Sequence, residues 1–239
     1  MMQLDASMNP INAIKKIAVN ARKNRLSAVI GVFFATLALS GCALAPDKPK
    51  RAQMYDFGPG EVSATTATRQ TPLPPLAIDE IATSGGALDN MAVLYRLGYE
   101  DAQQLRPYSL ARWSMPPAQL VRQRLLGQLG QRRAVFNAGS SVALNRNYQS
   151  ALPLRLRIDL EEFSQLFSAP DTSVGLIRLR ATLVDITPTG EKLLGQRNVV
   201  VQRPASSADA AGGVRALTAA TDAAIEEIND WLQQLAGRP

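Results

Sequence analysis

Leu154, Leu156, Ile158 and Leu160 alternate with Arg155, Arg157, Asp159 and Glu161, a spacing that a strand turns into one buried face and one wet face. The same period returns at Leu179, Ala181 and Leu183 against Arg178, Arg180 and Thr182. Thr187-Pro188-Thr189-Gly190 reads as a turn, and Leu193 to Gln202, with Val199, Val200 and Val201, reads as the partner strand. An antiparallel meander follows from these three segments.

Two helices complete the pattern. Pro117 opens the first, which runs to about Gln131, because a first turn tolerates missing donors and Val121, Leu125 and Leu129 then recur every four residues. The second spans about Asp209 to Leu235, with Val214, Leu217, Thr221, Ala224, Ile228, Trp231 and Leu235 at steps of three and four. Ile225 and Leu232 widen that stripe beyond a coiled-coil seam, so a helix laid on a sheet is expected. Shorter strands are expected at Tyr55 to Phe57, Leu76 to Ile81 and Met91 to Tyr95, the last two as neighbours. Glu61 to Pro75 reads as a proline-rich loop. The expected architecture is α+β, an antiparallel sheet with two main helices packed on one face.

Cys42, the only cysteine, fixes the organisation upstream. It closes the string Leu39-Ser40-Gly41-Cys42 after Leu26 to Leu39, a run without an ionisable group, itself preceded by Lys15, Lys16, Arg22, Lys23 and Arg25. That charge order is an export signal, and the run is shorter than the roughly 20 residues a spanning helix needs. Small residues before a thiol fit a lipoprotein cleavage and acylation site, similar to the lipobox of bacterial lipoproteins. Residues 1–41 are expected to be a signal peptide and 42–54 a lipidated tether. That tether could reach roughly 40 Å. Residues 55–239 then form the folded domain.

Composition removes whole chemistries. There is no histidine, so Ser-His-Asp and His-based metal sites cannot be built. No glycine-rich phosphate loop of the G-x-x-x-x-G-K type occurs. The carboxylates Glu161 and Glu162 are adjacent, and in a regular strand they point to opposite faces, a poor arrangement for an acid and base pair. The chain is expected not to be an enzyme and to need no cofactor, apart from covalent diacylglycerol and an N-acyl chain, such as palmitate, on Cys42. Of 26 basic and 20 acidic residues, five and one precede Cys42, which leaves 21 and 19, about +2, in the mature part. No electrostatic case for nucleic-acid binding survives.

Three strings carry a resemblance. One runs from Met91 through Tyr95-Arg96 and Tyr108 to Arg112-Trp113-Ser114 and the Pro116-Pro117 helix start. Another is Leu156-Arg157-Ile158-Asp159-Leu160-Glu161-Glu162-Phe163 with the following Arg-Leu-Arg-Ala-Thr-Leu strand. The last is Pro204-Ala205, Asp209-Ala210 and Val214-Arg215-Ala216-Leu217. Together they resemble the auxiliary lipoproteins of ABC-type lipid transport systems, the paraquat-inducible protein C family. The resemblance implies a non-catalytic lipoprotein on the periplasmic face of the outer membrane, partnered with the substrate-binding tube-forming subunit of the transporter. Ala43 after the lipidated cysteine agrees with outer-membrane sorting.

Two surfaces are candidates for partner contact. Arg112 and Trp113, in a segment expected to be a loop with Tyr99 and Tyr108, could form an aromatic and cationic anchor. Alternatively Trp113 closes the core and Arg112 pairs with a local acid. Arg155, Arg157, Arg178 and Arg180 could form a basic patch on the wet sheet face, or be solvated and paired with Asp159 and Glu161. An uncovered sheet face could also pack on a copy of itself as a homo-oligomer. Rival readings are a structural or pilot lipoprotein of another envelope machine, and a lipid carrier with an internal pocket.

Overall fold

In the computed structural model, residues 50–60, 73–137, 152–187 and 189–236 are described. The expected signal peptide, Cys42 and residues 61–72 of the expected proline-rich loop lie outside them. The strands are β1 (Gln53–Tyr55), β2 (Leu76–Ile78), β3 (Ala82–Thr83), β4 (Ala92–Leu97), β5 (Ala102–Trp113), β6 (Val135–Asn137), β7 (Leu154–Ala169), β8 (Thr172–Thr187) and β9 (Gly190–Pro204). The helices are α1 (Gly98–Asp101), α2 (Pro117–Leu129) and α3 (Ala210–Ala236).

β7, β8 and β9 are the meander that the alternation demands. β7 pairs antiparallel with β8 from Arg155↔Val184 to Ala169↔Thr172, and β8 with β9 from Val174↔Pro204 to Thr187↔Gly190. Leu156, Ile158, Leu160, Ile177, Leu179, Ala181, Leu183 and Val199 are all buried, which places the apolar set on one face.

The α+β class is as expected, but the sheet is mixed and not purely antiparallel. The second edge of β7 is shared in succession by β2, β3 and β4, and all three run parallel to it. β2 and β4 therefore do not pair with each other, contrary to expectation, because each finds its hydrogen bonds on the longer strand. β6 adds parallel to β2, β5 antiparallel to β4 and β1 parallel to β5. The first strand ends at Tyr55, and Phe57, expected within it, is instead a buried core residue beyond its end. The segment expected to be a loop before α2 is the twelve-residue strand β5. Its mostly exposed residues and Pro107 hide the strand period, since only Ala111 and Trp113 at its end are fully inward.

α3 lies across the inner face of β8 and β9, and α2 packs beside it. The buried stripe of α3 includes Val214, Leu217, Ala224, Ile225, Ile228, Trp231 and Leu232, that of α2 Leu120, Val121, Leu125 and Leu129, and both join one core. Each fully buried large aliphatic contributes about 1.5–3 kcal/mol, so this layer is a major source of stability. Close approach of helix and sheet needs Gly175, where a Cβ would stand 2.5 Å from the backbone of Ala216 and Leu217.

Candidate partner interface

The outer face of the sheet, opposite the helices, collects all four predicted arginines. Cross-strand register puts Arg155 beside Val184, Arg157 beside Thr182, Asp159 beside Arg180 and Glu162 beside Arg178. Three of the four are engaged by acids. Arg157 donates from Nε to Asp79 at 3.1 Å and from Nη1 to Glu191 at 2.8 Å, so its guanidinium links the end of β2 to β9. Arg155 approaches the same two carboxylates at 3.6 and 3.7 Å. The Arg157 bond holds the Glu191 carboxyl below its ordinary value, and the Glu191 and Asp79 bonds push the Arg157 guanidinium further up. Arg180 donates to Glu161. Only Arg178, of the four, is exposed and makes no ion pair among the described residues.

Glu161 and Glu162 depart from the regular-strand expectation. A register shift between Leu160 and Glu162 bulges the strand, so both carboxylates reach cations of the outer face. Glu162 accepts from Arg96 at 3.0 Å and from the Ser164 hydroxyl at 2.7 Å, while Glu161 serves Arg180. Each is neutralised by its own arginine, an arrangement of ion pairing.

Arg112 and Trp113 end β5 and point to opposite sides. Trp113 is fully buried, edge-on to Phe57 at 5.7 Å between ring centroids and 5.6 Å from Phe163. Its side chain is not available at the surface. Arg112 is exposed and makes no ion pair among the described residues. Tyr99 is exposed, whereas Tyr108 stacks on Tyr95 at 4.5 Å and donates to Gln165 Oε1 at 2.9 Å. Burial holds the Tyr108 hydroxyl well above the ordinary tyrosine range. Gln165 in turn donates to Ser173 at 2.7 Å, which satisfies a buried amide beneath the start of α3.

A cleft of about 960 Å³ opens between residues 56–60, α2 and α3, and its lining includes Phe57, Met115, Arg124, Arg132 and Asp222. No group of three or more acidic, cysteine or histidine side chains among the described residues could hold a metal. No helix among them is long and apolar enough to cross a membrane.

That β9 is an edge strand is not among the sequence expectations. Among the described residues β9 pairs only with β8, and its outward side chains Gln196, Asn198, Val200 and Gln202 are uncharged. The signal that could have found it is the stretch from Leu193 to Gln202, where Arg197 is the only charge.

Residues 55–229 match the family model described as ABC-type transport auxiliary lipoprotein component. No curated protein matches the chain. Among solved structures, a protein from Xanthomonas campestris assigned to the DUF330 family model aligns at 20% identity with a TM-score of 0.55, over 70% of this chain and 91% of its own. An uncharacterised protein aligns at 12% identity with a TM-score of 0.53, over 76% and 99%. Both likenesses are of fold.

Proposed function

We infer, from the premise that this chain belongs to the family of ABC-type transport auxiliary lipoprotein components, that it is the lipid-anchored adaptor of a transporter moving lipids or related hydrophobic molecules across the envelope. Diacylglycerol on Cys42 holds it to the outer membrane, and residues 42–54 tether the folded unit on the periplasmic side. The partner is the substrate-binding tube-forming subunit. The observation that carries the reading is the family match across the folded unit, joined to the Leu39-Ser40-Gly41-Cys42 string upstream of it. The role is docking and not catalysis. The ion-paired outer face supports this, since Asp79, Glu161, Glu162 and Glu191 are each committed to an arginine.

The test is affinity capture of the tagged, lipidated protein from envelopes beside a Cys42→Ala form, with partners identified by mass spectrometry. Recovery of a permease, its ATPase and a single-span substrate-binding subunit, reduced for Cys42→Ala, is expected. Recovery of a secretin or another assembly machine without transporter subunits would replace the adaptor reading with that of a structural or pilot lipoprotein.

A further inference from the structure

We propose that the free edge of β9 is a strand-addition site for an extended, acidic segment of a partner polypeptide. The backbone geometry identifies the groups involved. Ala205 N–H donates to Ser173 O at 2.9 Å, and in the same register Arg203 pairs with Gly175 and Val201 with Ile177. Odd-numbered residues of this stretch therefore spend their N–H and C=O on β8. The N–H and C=O groups of Gln196, Asn198, Val200 and Gln202 point the other way, to an edge that no described strand occupies.

Long edges of this kind are normally guarded by charges, prolines, bulges or short length. β9 has fifteen residues, and its bulge near Leu193 and its terminal Pro204 lie outside this stretch. Arg197, the charge within the stretch, faces inward and is held by Glu227 on α3 at 2.7 and 3.0 Å. Val200 is 54% exposed at the centre of the edge. The Gln202 C=O accepts from Arg203 Nη1 at 3.2 Å, and from Gln196 to Val200 the edge is a regular run of free donors and acceptors with a neutral side-chain row, the template that strand addition uses.

Charge selects the occupant. Arg178 neighbours Val200 across the ladder, Arg203 follows one residue beyond Gln202, and neither forms an ion pair among the described residues. A second copy in antiparallel pairing through Val200 would place Arg203 opposite the partner's Arg197, whose charge Glu227 already engages, and residues 193–204 contain no carboxylate to offer Arg178 or Arg203. A segment flanked by carboxylates meets the same cations favourably. The site does not depend on which envelope machine the protein serves.

The experiment uses the full lipidated protein in detergent and three short blocked peptides of alternating Thr and Val. One has Glu at both ends, one has Lys at both ends, and one is the Glu peptide with N-methylated backbone. Amide exchange at Gln196, Asn198, Val200 and Gln202 should slow by about tenfold or more at saturating Glu peptide, and not with the other two. Val200→Pro removes no sheet hydrogen bond, since that N–H faces the free edge, and should abolish binding with the fold retained. Arg178→Glu should weaken binding by about fivefold and carries the test if the proline variant fails to fold. Absence of protection by the Glu peptide, or equal protection by the Lys peptide, would overturn the proposal. So would concentration-dependent dimerisation that protects the same amides in the protein alone and is lost in Val200→Pro, since the occupant would then be a second copy.

Discussion

Arg124 grips Asp222 through two parallel bonds, Nε to Oδ1 at 2.6 Å and Nη2 to Oδ2 at 2.8 Å, and so ties α2 to α3. Gln128 adds a third bond to the same carboxylate at 2.8 Å. Both ion-pair partners are partly shielded from water, so the pair is worth more than an exposed one. Asp222→Ala is expected to cost about 1–2 kcal/mol, seen as a lower urea midpoint with an unchanged slope. Arg124→Lys should recover only part of the loss, because an ammonium lacks the planar fork.

Two glycines set the distance between α3 and the sheet. A Cβ on Gly175 would meet α3 backbone at 2.5 Å, and one on Gly213 would meet Gln165 Oε1 at 2.1 Å. Gly175→Ala is expected to destabilise by about 1–3 kcal/mol, since backbone must move. Gly213→Ala should displace Gln165 and with it the Tyr108 and Ser173 bonds. Urea midpoints of Gly213→Ala, Gln165→Ala and the double variant give the coupling between the two sites, and strictly additive losses would mean that Gln165 is not displaced.

The meander is legible because alternation over Leu154 to Glu161 recurs at Arg178 to Leu183 ahead of a turn, and α3 because its stripe runs from Val214 to Leu235. The strands against the far edge of β7 are not. β2, β3 and β4 are two to six residues long, and their parallel partners lie far away in sequence, so no shared turn announces the pairing. The bulge that brings Glu161 and Glu162 to one face has no compositional mark. Alternation puts the four arginines on the outer face, but their partners are legible only in part: Glu161 takes Arg180 as expected and Asp159 takes no arginine among the described residues, whereas Asp79 stands 78 positions from Arg157 and Glu191 stands 34 from it. Of the two readings of Trp113, an exposed anchor and a cap on the core, the second holds. Its burial depends on Phe57 and Phe163, contributed by separate segments.

Trp113 carries an indole N–H that is buried and has no hydrogen-bond acceptor among the described residues. Trp113→Phe removes that unmet donor together with part of the ring, so two effects of opposite sign meet. The expected loss is about 1–2 kcal/mol, against about 3–5 kcal/mol for Trp113→Ala. Denaturant melts followed by far-ultraviolet dichroism give both values. A Phe variant as damaging as the Ala variant would mean that the indole N–H has an acceptor in solution.

Asp209 caps α3 and should give the domain an acid-sensitive helix start. Its carboxylate accepts from Gly212 N–H and from the Ser207 hydroxyl, both at 2.7 Å, and these bonds hold it below its ordinary value of 3.8. As pH falls, the unfolded chain takes up this proton first. The cap therefore contributes in full above the ordinary carboxylate range, and the contribution is lost as pH falls through the lower folded value. Asp209→Asn keeps an acceptor oxygen without the charge. The stability difference between wild type and Asp209→Asn should be constant from about pH 7 to pH 5 and shrink between about pH 4 and pH 2. Asp209→Ala should cost about 0.5–2 kcal/mol at neutral pH. Urea midpoints measured across that pH range decide it, and a difference that stays flat to the acid limit would assign the cap's worth to hydrogen bonding alone.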